Sequence, residues 1–117
     1  MTHGYSILVG AVVLPGGGEP EAEAIAWAFD TILAIGSDAA VRSISRGDSH
    51  VLDAAGGFVV PLEPSADARL EVGGQADLAV LDGDPRAPAA PGRQPPRTLA
   101  VVRAGRVVAG TLRKVSR

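Results

Sequence analysis

Glycine and proline divide the chain into short runs of branched aliphatic residues, and this division most restricts the possible fold. The 15 Gly and 9 Pro make up about a fifth of the 117 residues, and both favour turns. The apolar runs between them, such as 7–14 and 78–81, have the length of strands and are rich in Val and Ile, which favour strands. The sequence therefore predicts a mainly β protein.

About seven or eight short strands at close spacing predict a small β-sandwich or barrel rather than alternating strands and helices. The predicted strands cover residues 5–14, 24–29, 31–35, 51–53, 58–62, 78–81, 99–103 and 106–112. Gly10 lies inside the first of them and indicates a bulge or a close approach of another backbone.

Large side chains alternate with alanine in the second predicted strand. Ile25, Trp27 and Phe29 fall on one face and alanines on the other, a period of two that predicts a strand packed on both sides. An Ala-rich helix over residues 21–29 is the competing interpretation. Asp30 and Thr31 are expected to form the turn that follows.

One short helix is predicted over residues 38–46. Ser37 has the side chain of an N-cap, and Gly47 is placed to end the helix. Val41 and Ile44 are three residues apart and are expected to share the buried face.

Turns and one long loop connect the remaining strands. We expect turns at residues 15–20 and 82–85 and a hairpin at Ala104-Gly105. Residues 85–97 hold five of the nine prolines, which predicts an extended exposed loop, the most mobile internal segment of the chain.

Charge and composition exclude several classes of protein. The chain carries 11 basic and 13 acidic residues, a net charge of −2, so it lacks the basic surface of a nucleic-acid binder. It has no cysteine, which excludes thiolate metal sites and cysteine nucleophiles. The apolar run 7–14 is too short to span a bilayer. We expect a cytoplasmic protein that contacts neither nucleic acid nor membrane.

Several stretches form an ordered set along the chain: ILVGAVVLPGGG at 7–18, ILAIGSDAAVRSI at 32–44, VLDAAGGFVVP at 51–61, EVGGQADLAVLDGDP at 71–85 and VVRAGRVVAG at 101–110. Together they resemble the accessory β-sandwich of the metal-dependent amidohydrolase superfamily, in its exoenzyme-type branch. The resemblance implies a single β-sandwich domain over 1–117, in two halves, 1–62 and 77–117. Residues 63–76 join the halves directly.

The resemblance also shows what is missing. In that family the segment similar to residues 58–61 leads into an Asp-x-His-x-His metal-binding motif. A catalytic (β/α)8 barrel follows, and the chain re-enters the sandwich near the segment similar to 71–73. Here residues 62–67 read Leu-Glu-Pro-Ser-Ala-Asp. No metal, cofactor or catalytic position of the family has a counterpart, so we predict no enzyme, no cofactor and no catalytic or metal residues.

The remaining candidate residues are better explained by structure than by chemistry. His3 and His50 are the only histidines, and even with Asp48 and Asp53 they form a poor metal site. Glu19, Glu21 and Glu23 are expected to form a solvated acidic patch.

Two glycine- or aspartate-containing motifs are likewise explained as turns. Asp82 and Asp84 are expected to form a turn rather than a calcium loop, because the other acidic positions of such a loop are missing. Residues 16–18 precede Glu-Pro-Glu, which would repel phosphate. Ser37 is not in a nucleophile elbow and is expected to cap a helix.

Three functions remain open from the sequence. The chain could be a non-catalytic stand-alone module, an interaction subunit of a barrel-bearing amidohydrolase, or a protein that binds an unrecognised small ligand. Loss of the barrel is expected to expose a surface that the barrel covers in the family. A two-fold homodimer is the simplest way to cover it.

Overall fold

The computed structural model describes residues 5–44, 49–63, 68–86, 92 and 94–115. This part of the chain forms ten strands in two mixed sheets and one short helix, which confirms the mainly β fold. The strands are Ser6–Val9 (β1), Val12–Val13 (β2), Ala24–Ala28 (β3), Thr31–Gly36 (β4), His50–Asp53 (β5), Phe58–Pro61 (β6), Leu78–Leu81 (β7), Thr98–Arg103 (β8), Arg106–Gly110 (β9) and Arg113–Lys114 (β10); the helix is Asp38–Arg42 (α1).

Each sheet has five strands and draws them from both ends of the chain. Sheet A has the order β10-β5-β1-β3-β4, and sheet B the order β2-β6-β7-β8-β9. The pairs β1–β5 and β2–β6 are parallel, and all other pairs are antiparallel.

The main hydrophobic core lies between the two sheets. Sheet A contributes Leu8, Ile25, Trp27, Ile32 and Leu52 to it, and sheet B contributes Val13, Val59, Leu78, Val80, Ala100 and Val102. These side chains are almost completely buried. Burying a side chain of this size stabilises the fold by roughly 1.5–3 kcal/mol, so the contact between the sheets is a principal source of stability.

Trp27 links the two sheets at one end of the sandwich. Its side chain is buried, and its Nε1 donates a hydrogen bond of 2.9 Å to the carbonyl of Gly105, in the turn between β8 and β9. Gly105 has a φ of 79°, and a Cβ added there would collide with the backbone of Phe29. The turn can therefore lie this close to β3 only because Gly105 has no side chain.

The helix covers the other face of sheet A. Val41 is buried with Ile7, Val9 and Ala26, and Ile44 packs against the same cluster. Ser37 is the N-cap, and its Oγ accepts a hydrogen bond of 3.1 Å from the amide of Ala40. The predicted cap and the burial of Val41 are confirmed, whereas Ile44 lies beyond the end of α1 and is half-buried.

The chain passes from sheet A to sheet B at two adjacent places. Residues 10–11 connect β1 to β2, and residues 54–57 connect β5 to β6. The connections bind each other, because the amide of Gly56 donates to the carbonyl of Gly10 at 2.6 Å. Gly10 has a φ of 64°, and a Cβ there would collide with the carboxylate of Asp53. The hydrogen bond with Gly56 confirms the predicted close approach of another backbone.

The prediction of one strand over residues 5–14 was wrong, as was the number of strands. Gly10 splits this strand into β1 and β2, which belong to different sheets. The predicted strand 106–112 ends at Gly110, whose φ is 72°. The chain then leaves sheet B and returns to sheet A as β10. Two additional strands result, and both arise where a glycine with positive φ redirects the backbone.

The second predicted strand is confirmed except at its end. Every residue of β3 is buried, as expected for a strand packed on both sides, and the helical alternative is wrong. Phe29, however, does not share the face of Ile25 and Trp27. It forms the turn with Asp30, has a φ of 55° and is 67% exposed. The turn therefore begins one residue earlier than predicted.

Two predictions fall partly on residues outside the described ranges. The helix ends at Arg42 instead of residue 46, and the expected cap at Gly47 lies outside the described residues. Within the Pro-rich loop, residues 87–91 and 93 also lie outside them, so its mobility stays a prediction.

We predict that the space at Gly10 matters for stability beyond its φ. The substitution Gly56→Ala adds a Cβ at a φ of 83° in open space and should lower the free energy of unfolding by about 1 kcal/mol. Gly10→Ala introduces the same backbone strain. It also displaces the Asp53 carboxylate, which accepts a hydrogen bond of 2.7 Å from the amide of Ala55. It should cost about 1 kcal/mol more.

Urea unfolding of both variants measures the difference. In an Asp53→Ala background the extra cost of Gly10→Ala should vanish. Equal losses for Gly10→Ala and Gly56→Ala in the wild-type background would show that the contact contributes nothing.

Candidate functional site

The outer face of sheet B carries apolar side chains that lie away from both hydrophobic clusters. We use this name for the residues of β2 and β6–β9 that alternate with the core residues. The strand register arranges them in two rows: Val12, Phe58, Leu81 and Thr98 in one, and Val60, Ala79, Val101 and Ala109 in the other.

The two rows carry almost no polar side chains, whereas a third row on the same face holds the exposed pair Arg103 and Arg106 of β8 and β9. Only Thr98 is polar in the two rows. Phe58, Val60, Leu81 and Val101 are half-buried, and none belongs to a core cluster. An antiparallel sheet that faces water normally has polar side chains on that side. This face instead has the composition of one that packs against another layer.

Further exposed apolar side chains lie on the last two strands of sheet B. Among the described residues, Leu99, Val107 and Val108 are three of the five large hydrophobic residues with high exposure, and all three lie on β8 and β9. The other two, Phe29 and Val72, lie outside sheet B. Val107 is paired with the core residue Val102, so it lies on the inner face of the sheet and does not extend the two rows.

Each sheet edge is blunted. β10 is only two residues long and consists of Arg113 and Lys114. The edge of β2 is occupied at Val13, which forms a bridge with Ala22. On β4, the amide and carbonyl of Ile32 bond to residues 73 and 74.

The edge of β9 carries a bulge. Val102 faces Val107 while Val101 faces Ala109, so Val108 is an extra residue in the ladder. Short, charged, covered and bulged edges all oppose strand-to-strand association. Association through a sheet face is therefore favoured over association through an edge.

A second candidate is a depression of about 500 Å³ at the chain crossing. Glu23, Asp38, Arg42 and Asp53 lie around it, and Val9 and Ala11 form apolar parts of its wall. It combines three carboxylates with one guanidinium.

The carboxylates of this depression accept hydrogen bonds from neighbouring parts of the fold. Glu23 accepts from the amide of Asp38 at 2.9 Å, and Asp38 accepts from Nε of Arg42 at 3.0 Å. Asp53 accepts from the amide of Ala55. The remaining oxygen of Asp38, Oδ1, is buried without a hydrogen-bond partner, although the side chain as a whole is 45% exposed.

The two histidines and the carboxylates considered with them are not brought together among the described residues. His3 and Asp48 lie outside the described residues, while His50 is exposed at the start of β5. In the part of the chain that the structure describes, no three His, Cys, Asp or Glu side chains are grouped to hold a metal ion.

Glu19 and Glu21, near the first turn, lie in different surroundings. Glu19 is exposed, and Glu21 accepts from Nη1 of Arg86 at 2.9 Å. Arg86 also bonds to Asp84, and this side-chain hydrogen bond is the largest cause that holds the pKa of Asp84 below its usual value. The side chains of Arg86 and Glu21 are exposed, so their ion pair contributes little to stability.

The predicted turn at residues 82–85 is confirmed. Asp82 accepts from the amide of Arg97 at 2.7 Å, and Asp84 accepts from the amide of Arg86 at 2.8 Å. These carboxylates cap the backbone around the base of the Pro-rich loop. Residues 16–18 form a turn with positive φ at all three glycines.

Comparison with protein-family models, curated proteins and solved structures finds no match for this chain. The resemblance to the amidohydrolase accessory sandwich therefore stays a prediction. Among the described residues, no helix is long and apolar enough to cross a membrane.

Sequence reasoning did not identify the residues of the outer face of sheet B. A signal was present: residues 58–60 and 78–81 are continuously apolar instead of alternating with polar residues. Such runs indicate strands covered on both faces. Only the strand order shows that one of these faces lacks a covering layer among the described residues.

We predict that the protein binds no metal in stoichiometric amounts. Its two histidines cannot supply the three or more protein ligands of a typical zinc site without carboxylates, and the described carboxylates of the depression already bind backbone amides or Arg42. Elemental analysis after expression in zinc-supplemented medium should give far less than one equivalent. Near-stoichiometric zinc or iron that resists dialysis would contradict this.

Proposed function

We propose that the chain is a non-catalytic β-sandwich module that acts by association, with the outer face of sheet B as its binding surface. The observation that carries the proposal is the pair of apolar rows on that face, on which no described strand or helix packs. A second copy of the chain is the partner, and the assembly is a two-fold homodimer.

The blunted edges support a face-to-face assembly. Strand-to-strand pairing at β9 would have to accommodate the bulge at Val108, and the other edges are short or occupied. Packing one sheet face on another needs no free edge, and it buries side chains such as Val60 and Val101 at the spacing of about 10 Å that is usual between stacked sheets.

The size of the face sets the expected strength. Five strands spaced about 4.8 Å apart, with roughly four residues of about 3.3 Å each, give a footprint of about 300 Å². This is smaller than the roughly 800 Å² per partner of a standard interface. The homodimer is therefore expected to be weak and reversible, and to dissociate on dilution.

We predict that the protein hydrolyses neither amides nor lactones. Amidohydrolase chemistry requires a metal-activated water and a general base held together, and the family's residues for both have no counterpart in the sequence. A panel of hydantoins, formamides and lactones should show no turnover above the buffer rate. Turnover that a chelator abolishes would overturn the non-catalytic assignment.

We predict that self-association depends on concentration and on the outer face of sheet B. Light scattering coupled to size exclusion should give a mass that rises from 11.8 kDa toward twice that value over a hundredfold concentration range. Val101→Glu places a charge in the middle of the face and should keep the protein monomeric, since an unpaired charge is costly to bury.

Val72→Glu is the matched control. Val72 is 63% exposed and lies outside sheet B, so this variant should dimerise as the wild type does. A mass near 11.8 kDa for the wild type at every concentration would exclude the homodimer. Equal masses for Val101→Glu and the wild type would exclude the outer face.

A further inference from the structure

We propose that Arg103 and Arg106 form a binding site for a phosphate monoester, in which one phosphate group bridges the two guanidinium groups. The site lies at the end of the β8–β9 hairpin, where the two arginines are exposed. It is independent of the proposed homodimer.

The two arginines lie directly opposite each other in the ladder of β8 and β9. Their neighbours Val102 and Val107 belong to the inner face of the sheet, so the arginine side chains project from the outer face. Directly opposite residues have Cβ atoms about 4.5–5.5 Å apart, and like charges at such positions destabilise the pair of strands. The arrangement therefore concentrates two positive charges at a cost in stability.

The repulsion between these arginines is not offset by an ion pair in the part of the chain that the structure describes. Two other arginines are matched by acidic residues: Arg42 forms an ion pair with Asp38, and Arg113 lies opposite Asp53 on β5. Residues 85–117 hold eight basic residues and no acidic one, so this segment supplies no negative charge to the hairpin. An anion from outside the chain would remove the repulsion.

The backbone holds the two arginines next to each other. Ala104 and Gly105, which separate them, have φ values of 51° and 79°, as in a tight type I′ hairpin turn. The amide of Gly105 donates to the carbonyl of Ala76 at 3.0 Å, and the carbonyl of Gly105 accepts from Trp27 at 2.9 Å. The turn cannot open without breaking these bonds, so the two arginines are preorganised for one ligand.

Two carboxylates near the turn do not occupy the site. Oδ1 of Asp77 accepts from the amide of Ala104 at 2.6 Å and from Nε2 of Gln75 at 3.2 Å, and it offsets at most one of the two positive charges. Asp30 lies in the turn between β3 and β4 of sheet A. Sheet A is on the inner side of the hairpin, whereas the arginines project from the outer side.

A phosphate monoester fits two apposed arginines better than a carboxylate does. It carries a charge of about −1.5 to −2 at pH 7 and three acceptor oxygens, enough to bond one guanidinium on each side. A carboxylate has one charge and two oxygens, which a single bidentate arginine satisfies. The planar N–H fork of arginine also matches the geometry of phosphate.

NMR titration of isotope-labelled protein with inorganic phosphate tests the site, at an ionic strength held constant with chloride. The amide signals of residues 103–106 should shift in a saturable manner. Arg103→Gln and Arg106→Gln should each weaken binding about tenfold, because each removes charge-assisted hydrogen bonds. Arg113→Gln is the matched control. It removes an exposed arginine that faces an acidic residue and should bind phosphate as the wild type does.

Urea unfolding gives a second readout on the same proteins. In chloride, Arg106→Gln should unfold at a urea concentration at least as high as the wild type, because the variant has no repulsion at this position. Phosphate at the same ionic strength should raise the midpoint of the wild type and leave that of the variant unchanged. Aggregation of Arg106→Gln with an unchanged response to phosphate would show instead that the arginines only protect the edge of the sheet.

A blocked tripeptide with a central phosphoserine distinguishes two sources of the phosphate group. Tighter binding of this peptide than of inorganic phosphate supports the site with a phosphorylated protein as its partner, and equal binding supports it with a small phosphorylated molecule. The same tripeptide with serine should not bind. The site is wrong if the wild type shows no saturable shifts, or if Arg103→Gln and Arg106→Gln bind phosphate as tightly as the wild type.

Discussion

The stacking of the two sheets depends on the place where residues 10–11 and 54–57 pass side by side from sheet A to sheet B. The parallel ladder of β1 and β5 continues into that of β2 and β6 through hydrogen bonds from Ala54 to Val9 at 2.9 Å and from Val12 to Gly57 at 2.9 Å. The two sheets therefore share one continuous pair of strands. This connection holds the two sheets at a fixed position relative to each other where the chain crosses.

The crossing accounts for the glycines around it. Gly10 and Gly56 have positive φ, and a Cβ on Gly57 would lie 2.9 Å from the carbonyl oxygens of both Ala54 and Leu81. Small residues let two backbones and a neighbouring strand approach closely, which larger side chains would prevent. The carboxylates of the depression at this place serve the same connection, since Asp53 holds the amide of Ala55 and Glu23 holds the start of α1.

The outer face of sheet A is covered by a helix, and that of sheet B is not covered by any described helix or strand. The helix α1 covers sheet A with Val41, and this contact buries Ile7, Val9 and Ala26. No described helix or strand packs on the outer face of sheet B, although the two rows that contain Phe58 and Val101 are apolar. Burial of apolar area is the dominant favourable term in association. An uncovered apolar layer on a small domain therefore supports a role in binding more directly than a role in catalysis.

The sequence by itself determined most of the segments that form strands, where the helix starts and which turns break the chain; it did not reveal β10. These are local properties: alternation revealed β3, the Ser37 side chain revealed the cap, and Ala104-Gly105 revealed the last hairpin. Tertiary structure alone decided that residues 5–14 belong to two sheets, that Phe29 lies in a turn, and that Phe58 and Val101 share a face. Strand order and sheet membership depend on contacts between residues far apart in the chain, such as Trp27 with Gly105, and the spacing of residues within one strand carries no information about them.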